Sequence, residues 1–150
     1  MLSVSNKTRQ SLPGLPFLAI ADKVLGKSYD LSLVFVGHCR SRRLNRTYRG
    51  KDKPTNVLSF PYDKNSGELI IDLAKVKSEC PKFESTFTYH LGFLFIHGLL
   101  HLKGLDHGST MEREERKLTK AFLDGTNNRN RTGHRHIINS RRRMRIQTGK

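Results

Sequence analysis

The segment STFTYHLGFLFIHGLLHLK, residues 85–103, constrains the fold of this chain more than any other part of the sequence. It is long enough for several helical turns, and it is apolar on almost every side. A helix of this kind is stable in water only when other elements cover it all round, so it belongs at the centre of a domain. Gly104 follows directly and favours the end of the helix at that point.

The rest of the sequence mixes patterns typical of strands with patterns typical of helices. Two β-branched, apolar runs separated by DKNSG predict a hairpin within residues 56–72. Ser109 and Glu112 have the spacing of a capping box at the start of a helix. The predicted fold class is α+β: a small mixed β-sheet of about four strands covered by helices, with the 85–103 helix buried at the centre. The predicted strands span 1–5, 30–37, 56–61 and 68–73, and the other predicted helices span 14–27, 39–50, 74–80 and 111–125.

Length and composition fit one domain with one hydrophobic core in a chain of 150 residues. We predict a single domain over residues 1–125 and a basic, flexible tail over residues 126–150. No apolar run reaches the roughly 18 residues of a membrane span. The N-terminus lacks the pattern of a secretory signal, and Cys39 and Cys80 do not form a CxxC pair. These features predict a cytoplasmic protein with reduced thiols and no membrane partner.

The net charge of +15 arises from 28 Lys and Arg against 13 Asp and Glu. Eight of the basic residues and none of the acidic residues lie after Asp124. A basic body with a separate basic arm favours a polyanionic partner, above all RNA or DNA. For the tail alone, a solvated segment that only aids solubility is an equal alternative.

Three histidines of HGLLHLKGLDH have the spacing of metal ligands. His97 and His101 lie one turn apart on one helical face, and Gly104 lets the chain turn back so that His107 joins them. Three protein ligands leave a fourth position open on tetrahedral zinc, as in catalytic sites. We predict one Zn²⁺ per chain, although imidazole also suits nickel, copper and iron. Three separately satisfied histidines are the alternative; Asp106 is predicted to orient a ligand ring, or else to cap the turn.

This histidine spacing equals that of the metzincin proteases, HExxHxxGxxH, except at one position. The residue after the first histidine is their general base, and here it is Gly98. A metalloprotease therefore stays only a disfavoured alternative. His90, two turns before His97 on the same face, is interpreted as lining the cleft or as packing in the core.

The second dense segment is RTYRGKDKPTNVLSF, residues 46–60. Its cations are predicted to bind RNA phosphates, and the guanidinium of Arg49 can do so through two parallel hydrogen bonds. Arg49 is also predicted to have a catalytic role, because its charge would stabilise the negative charge that develops on the phosphate. Tyr48 is interpreted as stacking on a base, or else as a core residue. A solvated charged turn is the alternative. The predicted RNA-binding residues are Arg46, Arg49, Lys51 and Lys53.

Together, HGLLHLKGLDH and LNRTYRGKDKPTNVLSFP resemble the YbeY family of bacterial endoribonucleases, also called rRNA maturation factors. The strands LSLVFVG and GELII stand in the expected order, and the resemblance covers about residues 31–124. Glu68 stands where relatives usually carry Asp, and His38 stands where they usually carry an acid. The basic tail resembles nothing in the family.

The resemblance implies one α+β domain that holds a zinc-like metal through His97, His101 and His107, with His97 and Arg49 as catalytic residues. The implied activity is single-strand-specific, metal-dependent cleavage of RNA in the maturation of the 16S rRNA 3′ end and in ribosome quality control. The implied partners are the small ribosomal subunit and its rRNA, ribosomal proteins and an Era-type GTPase. A non-catalytic ribosome assembly factor with a structural zinc remains the alternative from another class.

Overall fold

A computed structural model describes residues 1–126, which form a four-stranded sheet packed with five helices. The strands are β1 (Leu2–Asn6), β2 (Asp30–Val36), β3 (Val57–Asp63) and β4 (Ser66–Asp72). The helices are α1 (Phe17–Leu25), α2 (His38–Arg49), α3 (Leu73–Glu79), α4 (Phe87–Leu102) and α5 (Ser109–Leu123). The predicted α+β fold class is therefore confirmed. The predicted tail lies, from residue 127 onward, outside the described residues.

The sheet is mixed, with the strand order β1-β2-β4-β3. Parallel pairs join β1 to β2 and β2 to β4, whereas β3 and β4 form the predicted antiparallel hairpin. In this hairpin Val57 lies opposite Ile71, and Phe60 lies opposite Glu68. β3 is therefore an edge strand of the sheet among the described residues.

Strand alternation divides the apolar residues between the two faces of the sheet. Leu33, Phe35, Leu69 and Ile71 join the main core with α1, α4 and α5. The opposite face carries a smaller cluster under α2, formed by Val36, Leu58 and Ile70 with the partly buried Val34, Leu44 and Phe60 packed against it. The predicted central helix is confirmed, because α4 is buried at every residue from His90 to Leu102.

Two of the predicted helix ends can be compared with the structure. Gly104 has a φ of 103°, a conformation that favours glycine, and it follows the end of α4 as predicted. The capping box at Ser109 and Glu112 is wrong, because the N-cap residue is Gly108 and Ser109 is already the first helical residue. A Ser side chain can cap only from the position before the first turn, so the backbone entered the helix one residue too early for this role.

Two further sequence predictions concern the cysteines and the membrane. Cys39 is exposed and Cys80 is buried, and neither forms a disulfide within residues 1–126. Within residues 1–126, no helix combines the length and the apolar character that crossing a bilayer requires.

Candidate metal centre

α4 presents two imidazoles on one face because its residues i and i+4 lie one turn apart. The Nε2 atoms of His97 and His101 are 3.2 Å apart. Both residues are buried, with 1% and 4% of their surfaces exposed. The structure therefore places these two side chains side by side within the core, as predicted.

His107 completes the cluster from the loop that follows α4. The left-handed backbone at Gly104 turns the chain back toward the helix. The His107 ring lies 5.4 Å from that of His97 and 4.8 Å from that of His101, measured between centroids. One nitrogen from each ring can be chosen so that all three lie within 4.8 Å of one another. Within residues 1–126, these three histidines form a group that can hold a metal ion.

Hydrogen bonds on the far side of the α4 rings decide which nitrogens face the cluster. Nδ1 of His97 lies 3.4 Å from a carboxylate oxygen of Glu115, and Nδ1 of His101 lies 3.1 Å from the carbonyl oxygen of Leu105. Both partners only accept, so we assign the ring proton to Nδ1 in each case. In this tautomer the Nε2 atom of each ring carries a lone pair on the side of the cluster.

Two facing lone pairs repel each other unless a cation lies between them. The separation of 3.2 Å is close to the about 3.3 Å between two nitrogens bound at about 2.05 Å to a tetrahedral zinc ion. The donor set, three imidazoles with two of them oriented from behind, therefore fits a divalent transition metal.

Glu115 is a residue in contact with the histidine cluster that the sequence predictions missed. It lies on α5 and is 3% exposed, so the carboxylate is buried against the His97 ring. The signal was present, because Met111, Glu115 and Leu118 follow one helical face and the outer two are apolar. Asp106, predicted to orient a ligand ring, is exposed in the loop before His107, and that role stays a prediction.

Gly98, where the metzincins carry their general base, lies against the sheet. A Cβ at this position would lie 2.8 Å from Cδ2 of Leu69 and 3.3 Å from Cγ2 of Val57. Its carbonyl oxygen accepts a hydrogen bond from the Ser59 hydroxyl at 3.3 Å. The glycine thus allows α4 to approach the hairpin closely. Packing therefore explains the glycine at this position, and the absence of a general base is its chemical consequence.

Arg49 is the cation of the basic segment that the fold holds in place. It ends α2, and one of its terminal nitrogens donates to Oδ1 of Asn45 and to Oγ1 of Thr55, each at 3.3 Å. The guanidinium is half-buried, and burial lowers the pKa of Arg49 from its usual value. The Thr55 backbone is fixed in turn by a reciprocal pair of bonds with the buried Ser41 hydroxyl.

The other predicted RNA-binding cations are exposed. Arg46 lies 3.6 Å from Asp52, which also receives two hydrogen bonds from Arg42. These bonds hold the pKa of Asp52 below its usual range. Lys51 and Lys53 extend from the loop between α2 and β3. The RNA-binding roles of all four cations stay predictions.

His90 belongs to the core and not to the histidine cluster. It is 1% exposed, its Nε2 lies 3.1 Å from Glu79, and its ring stacks on Phe83. Glu79 also accepts a hydrogen bond from the buried Asn56, whose backbone oxygen is bonded to the N–H of Asp72. This buried polar network ties the start of β3 to α3 and α4.

The sequence of the chain is similar to those of known proteins. A profile of the family described as "Endoribonuclease YbeY" matches residues 8–125. Proteins named "Endoribonuclease YbeY" from Geobacillus kaustophilus and Allorhizobium ampelinum are 39% and 43% identical, over 58% and 57% of this chain. These alignments cover 64% and 57% of those proteins, less than two-thirds of their length.

A solved structure shares the architecture as well. The solution structure of a Thermotoga maritima protein is 25% identical and superposes with a TM-score of 0.58, covering 80% of this chain and 87% of that one. The family profile extends over most of the chain, including the histidine motif HGLLHLKGLDH and the basic segment of residues 46–60. The chain therefore belongs to the YbeY family.

Proposed function

We propose that this chain is a metal-dependent endoribonuclease that cuts single-stranded RNA, and that it acts in the cytoplasm on the 3′ end of 16S rRNA and in ribosome quality control. The observation that carries the proposal is the pair of lone-pair nitrogens 3.2 Å apart, with a third histidine beside them. The names of the relatives support the reaction class. The net charge of +15 supports an RNA substrate.

His97, His101 and His107 would hold one divalent ion, which we propose is Zn²⁺, with Ni²⁺ as the alternative. When bound, the ion supplies Lewis-acid chemistry toward a phosphodiester. Glu115 keeps the His97 ring in the orientation that binds the ion. Gly98 carries no carboxylate, so nothing at this position supports peptide hydrolysis.

Arg49 supplies the fixed positive charge of the proposed reaction. Its bonds to Asn45 and Thr55 orient the guanidinium before substrate arrives, so little is lost in ordering the side chain. Arg46, Lys51 and Lys53 would contact flanking phosphates, and their exposure makes these contacts sensitive to salt. The proposed partners are the small ribosomal subunit, its ribosomal proteins and an Era-type GTPase.

The test is cleavage of an end-labelled single-stranded RNA by the metal-loaded protein, with a duplex of the same sequence as control. We expect the single strand to be cut and the duplex to be spared, with cleavage lost in His97→Ala and strongly reduced in Arg49→Ala. Equal cutting by the wild type and both variants would mean that the nuclease is a contaminant.

A ribosome assembly factor with a structural metal is the second candidate. The burial of His97 and His101 favours it, because a buried site contributes its binding free energy to folding. This candidate predicts RNA binding and a melting temperature that falls on chelation, without turnover of either RNA form.

A further inference from the structure

We propose that the face of the sheet beside α2 is a stacking surface for single-stranded RNA, formed by Tyr48, Phe60 and Tyr62 and called here the aromatic strip. The inference rests on the proposed function in taking RNA as the ligand. It adds a binding surface separate from the histidine cluster.

The three rings lie on one side of the sheet, beside the end of α2. Leu58 and Phe60 point to the face of β3 opposite to α4. The pairing of β3 with β4 shifts between Pro61 and Asp63, but the Tyr62 hydroxyl bonds to Glu68, the partner of Phe60 on β4, and this bond brings the Tyr62 ring to the same side. Leu58 is covered in the small cluster under α2, whereas the later residues extend past it. Tyr48, in the last turn of α2, contacts Phe60 edge-on with ring centroids 5.1 Å apart.

The two tyrosines remain largely in solvent. Tyr48 is 63% exposed and Tyr62 is 64% exposed. They are the only aromatic residues among the exposed large hydrophobic side chains of the described part of the chain. Flat rings that stay in water beside one another suit the faces of unstacked bases, which stack on aromatic side chains in single-strand binding proteins.

Glu68 fixes one of these rings and adds a polar group to the surface. The Tyr62 hydroxyl donates to a carboxylate oxygen of Glu68 at 2.6 Å, and this bond raises the pKa of Tyr62 to about 12. Glu68 lies opposite Phe60 on β4, and its second oxygen lies 3.5 Å from the Ser32 hydroxyl on β2. A carboxylate can accept hydrogen bonds from the exocyclic amines of bases.

The surrounding charge favours nucleic acid as the occupant. Residues 38–53, comprising α2 and the loop after it, contain seven Lys and Arg against one acid, Asp52. Asp52 is engaged by Arg42 and Arg46, and the remaining cations outnumber the acidic groups beside the strip. Bases on the rings and phosphates along the cations would satisfy both kinds of group at once.

The aromatic strip is joined to the metal centre through β3. Ser59 bonds to the carbonyl of Gly98, the residue after His97, and Phe60 of the strip is the next residue along β3. Because β3 is an edge strand in the part of the chain described, a single strand that stacks on the strip can pass around that edge toward the histidines.

The test is direct binding of the full chain to a fluorescein-labelled 2′-O-methyl uridine 12-mer, which resists cleavage, followed by anisotropy. Tyr48→Ala and Tyr62→Ala should each weaken binding about tenfold, because stacking on one ring contributes on the order of 1.4 kcal/mol. Tyr48→Phe and Tyr62→Phe should bind within about twofold of the wild type, since a phenyl ring still stacks. Leu18→Ala, which removes an exposed apolar side chain from α1, is the matched control and should bind as the wild type does.

A second readout uses the natural fluorescence of the protein. The chain has no tryptophan and four tyrosines, so base stacking on the exposed pair quenches the emission directly. Quenching by the unlabelled 12-mer should be large for the wild type and small for the Tyr48→Ala, Tyr62→Ala double variant. A duplex of the same length should bind all variants equally, because its bases are already stacked.

Wild-type affinity and wild-type quenching in the double variant would overturn the inference and leave cleavage at the histidines unaffected. Equal weakening by Ala and Phe at both positions would overturn it too, because it would assign the effect to the hydroxyls. Loss of binding in the Ala variants without RNA cleavage by the wild type would keep the strip and reject the nuclease.

Discussion

The histidine cluster and the basic segment around Arg49 are built on opposite physical principles. Two histidines of the cluster, His97 and His101, are buried, and their rings are oriented by hydrogen bonds to Glu115 and to the carbonyl oxygen of Leu105. The cations Arg46, Lys51 and Lys53 of the basic segment are exposed, whereas Arg49 is half-buried and bonded to Asn45 and Thr55. The cluster is thus suited to chemistry that depends on fixed geometry, and the segment is suited to attraction that depends on charge and salt.

This difference predicts how the two regions respond to substitution. In a buried site, the loss of one group leaves its partners unsatisfied, so effects are large and insensitive to salt. On an exposed surface each cation contributes little, and its contribution is screened. Arg49 lies between the two regimes because it is cationic but half-buried.

The largest effect is expected for the ligands. His101→Ala should reduce the cleavage rate by at least about a thousandfold, because the metal supplies several kcal/mol of transition-state stabilisation. The rate is measured with labelled single-stranded RNA under single-turnover conditions. His38→Ala, which removes a half-exposed histidine bonded to Asp72, is the control and should cleave nearly as the wild type does. Comparable rate losses in both variants would contradict the assignment of the cluster.

A smaller effect is expected when Glu115 is changed. Glu115→Ala should weaken metal binding by about 10- to 100-fold, and Glu115→Gln should weaken it less because an amide oxygen still accepts from His97. Competition with a chromophoric chelator measures the affinity. Glu114→Gln, on the same helix, should bind as the wild type does. If Glu115→Ala kept wild-type affinity, the orienting role of the carboxylate would be rejected.

A substitution at Gly98 tests whether this residue serves the close packing of α4 or the binding of the metal. Gly98→Ala places a methyl group against Leu69, and overpacking of this kind costs about 1–3 kcal/mol, partly offset by about 1 kcal/mol of better helix propensity. We expect a net loss of unfolding free energy of about 1 kcal/mol in urea titrations, with metal content unchanged. Loss of metal without loss of stability would show that the residue faces the site.

The smallest effects are expected for Lys51 and Lys53, the exposed lysines of the basic segment. Lys51→Ala and Lys53→Ala should each weaken RNA binding only a few-fold near physiological salt, and each should lower the slope of log K against log salt by about 1 or less. A salt titration with single-stranded RNA measures this slope. An unchanged slope in both variants would place these lysines outside the interface.

A feature of this site could be predicted when the residues that determine it lie within a few positions of one another in the sequence. His97 and His101 share a face by helical spacing alone, and the return of His107 needed only the glycine at 104. The end of α2 was local as well, because Gly50 adopts a left-handed φ of 69°. Such features are encoded within a few residues.

The features that were missed depend on tertiary packing. Glu115 contacts His97 only after α5 docks on α4. Met111 and Leu118 mark the buried face of α5 in the sequence, but they do not show which side chain of α4 Glu115 meets. Gly98 was interpreted through a missing carboxylate, whereas its contact with Leu69 involves a strand nearly thirty residues earlier. The aromatic strip likewise needs the end of α2 to meet β3, which spacing along the chain cannot show.

The most direct test of the central claim is the metal content of the full chain by elemental analysis, after incubation with excess zinc and gel filtration. We predict one metal ion per folded wild-type chain and less than about a tenth of that for His97→Ala, because the variant lacks one of three protein ligands. A folded wild-type protein without bound metal, or a His97→Ala variant with the same content as the wild type, would contradict the account.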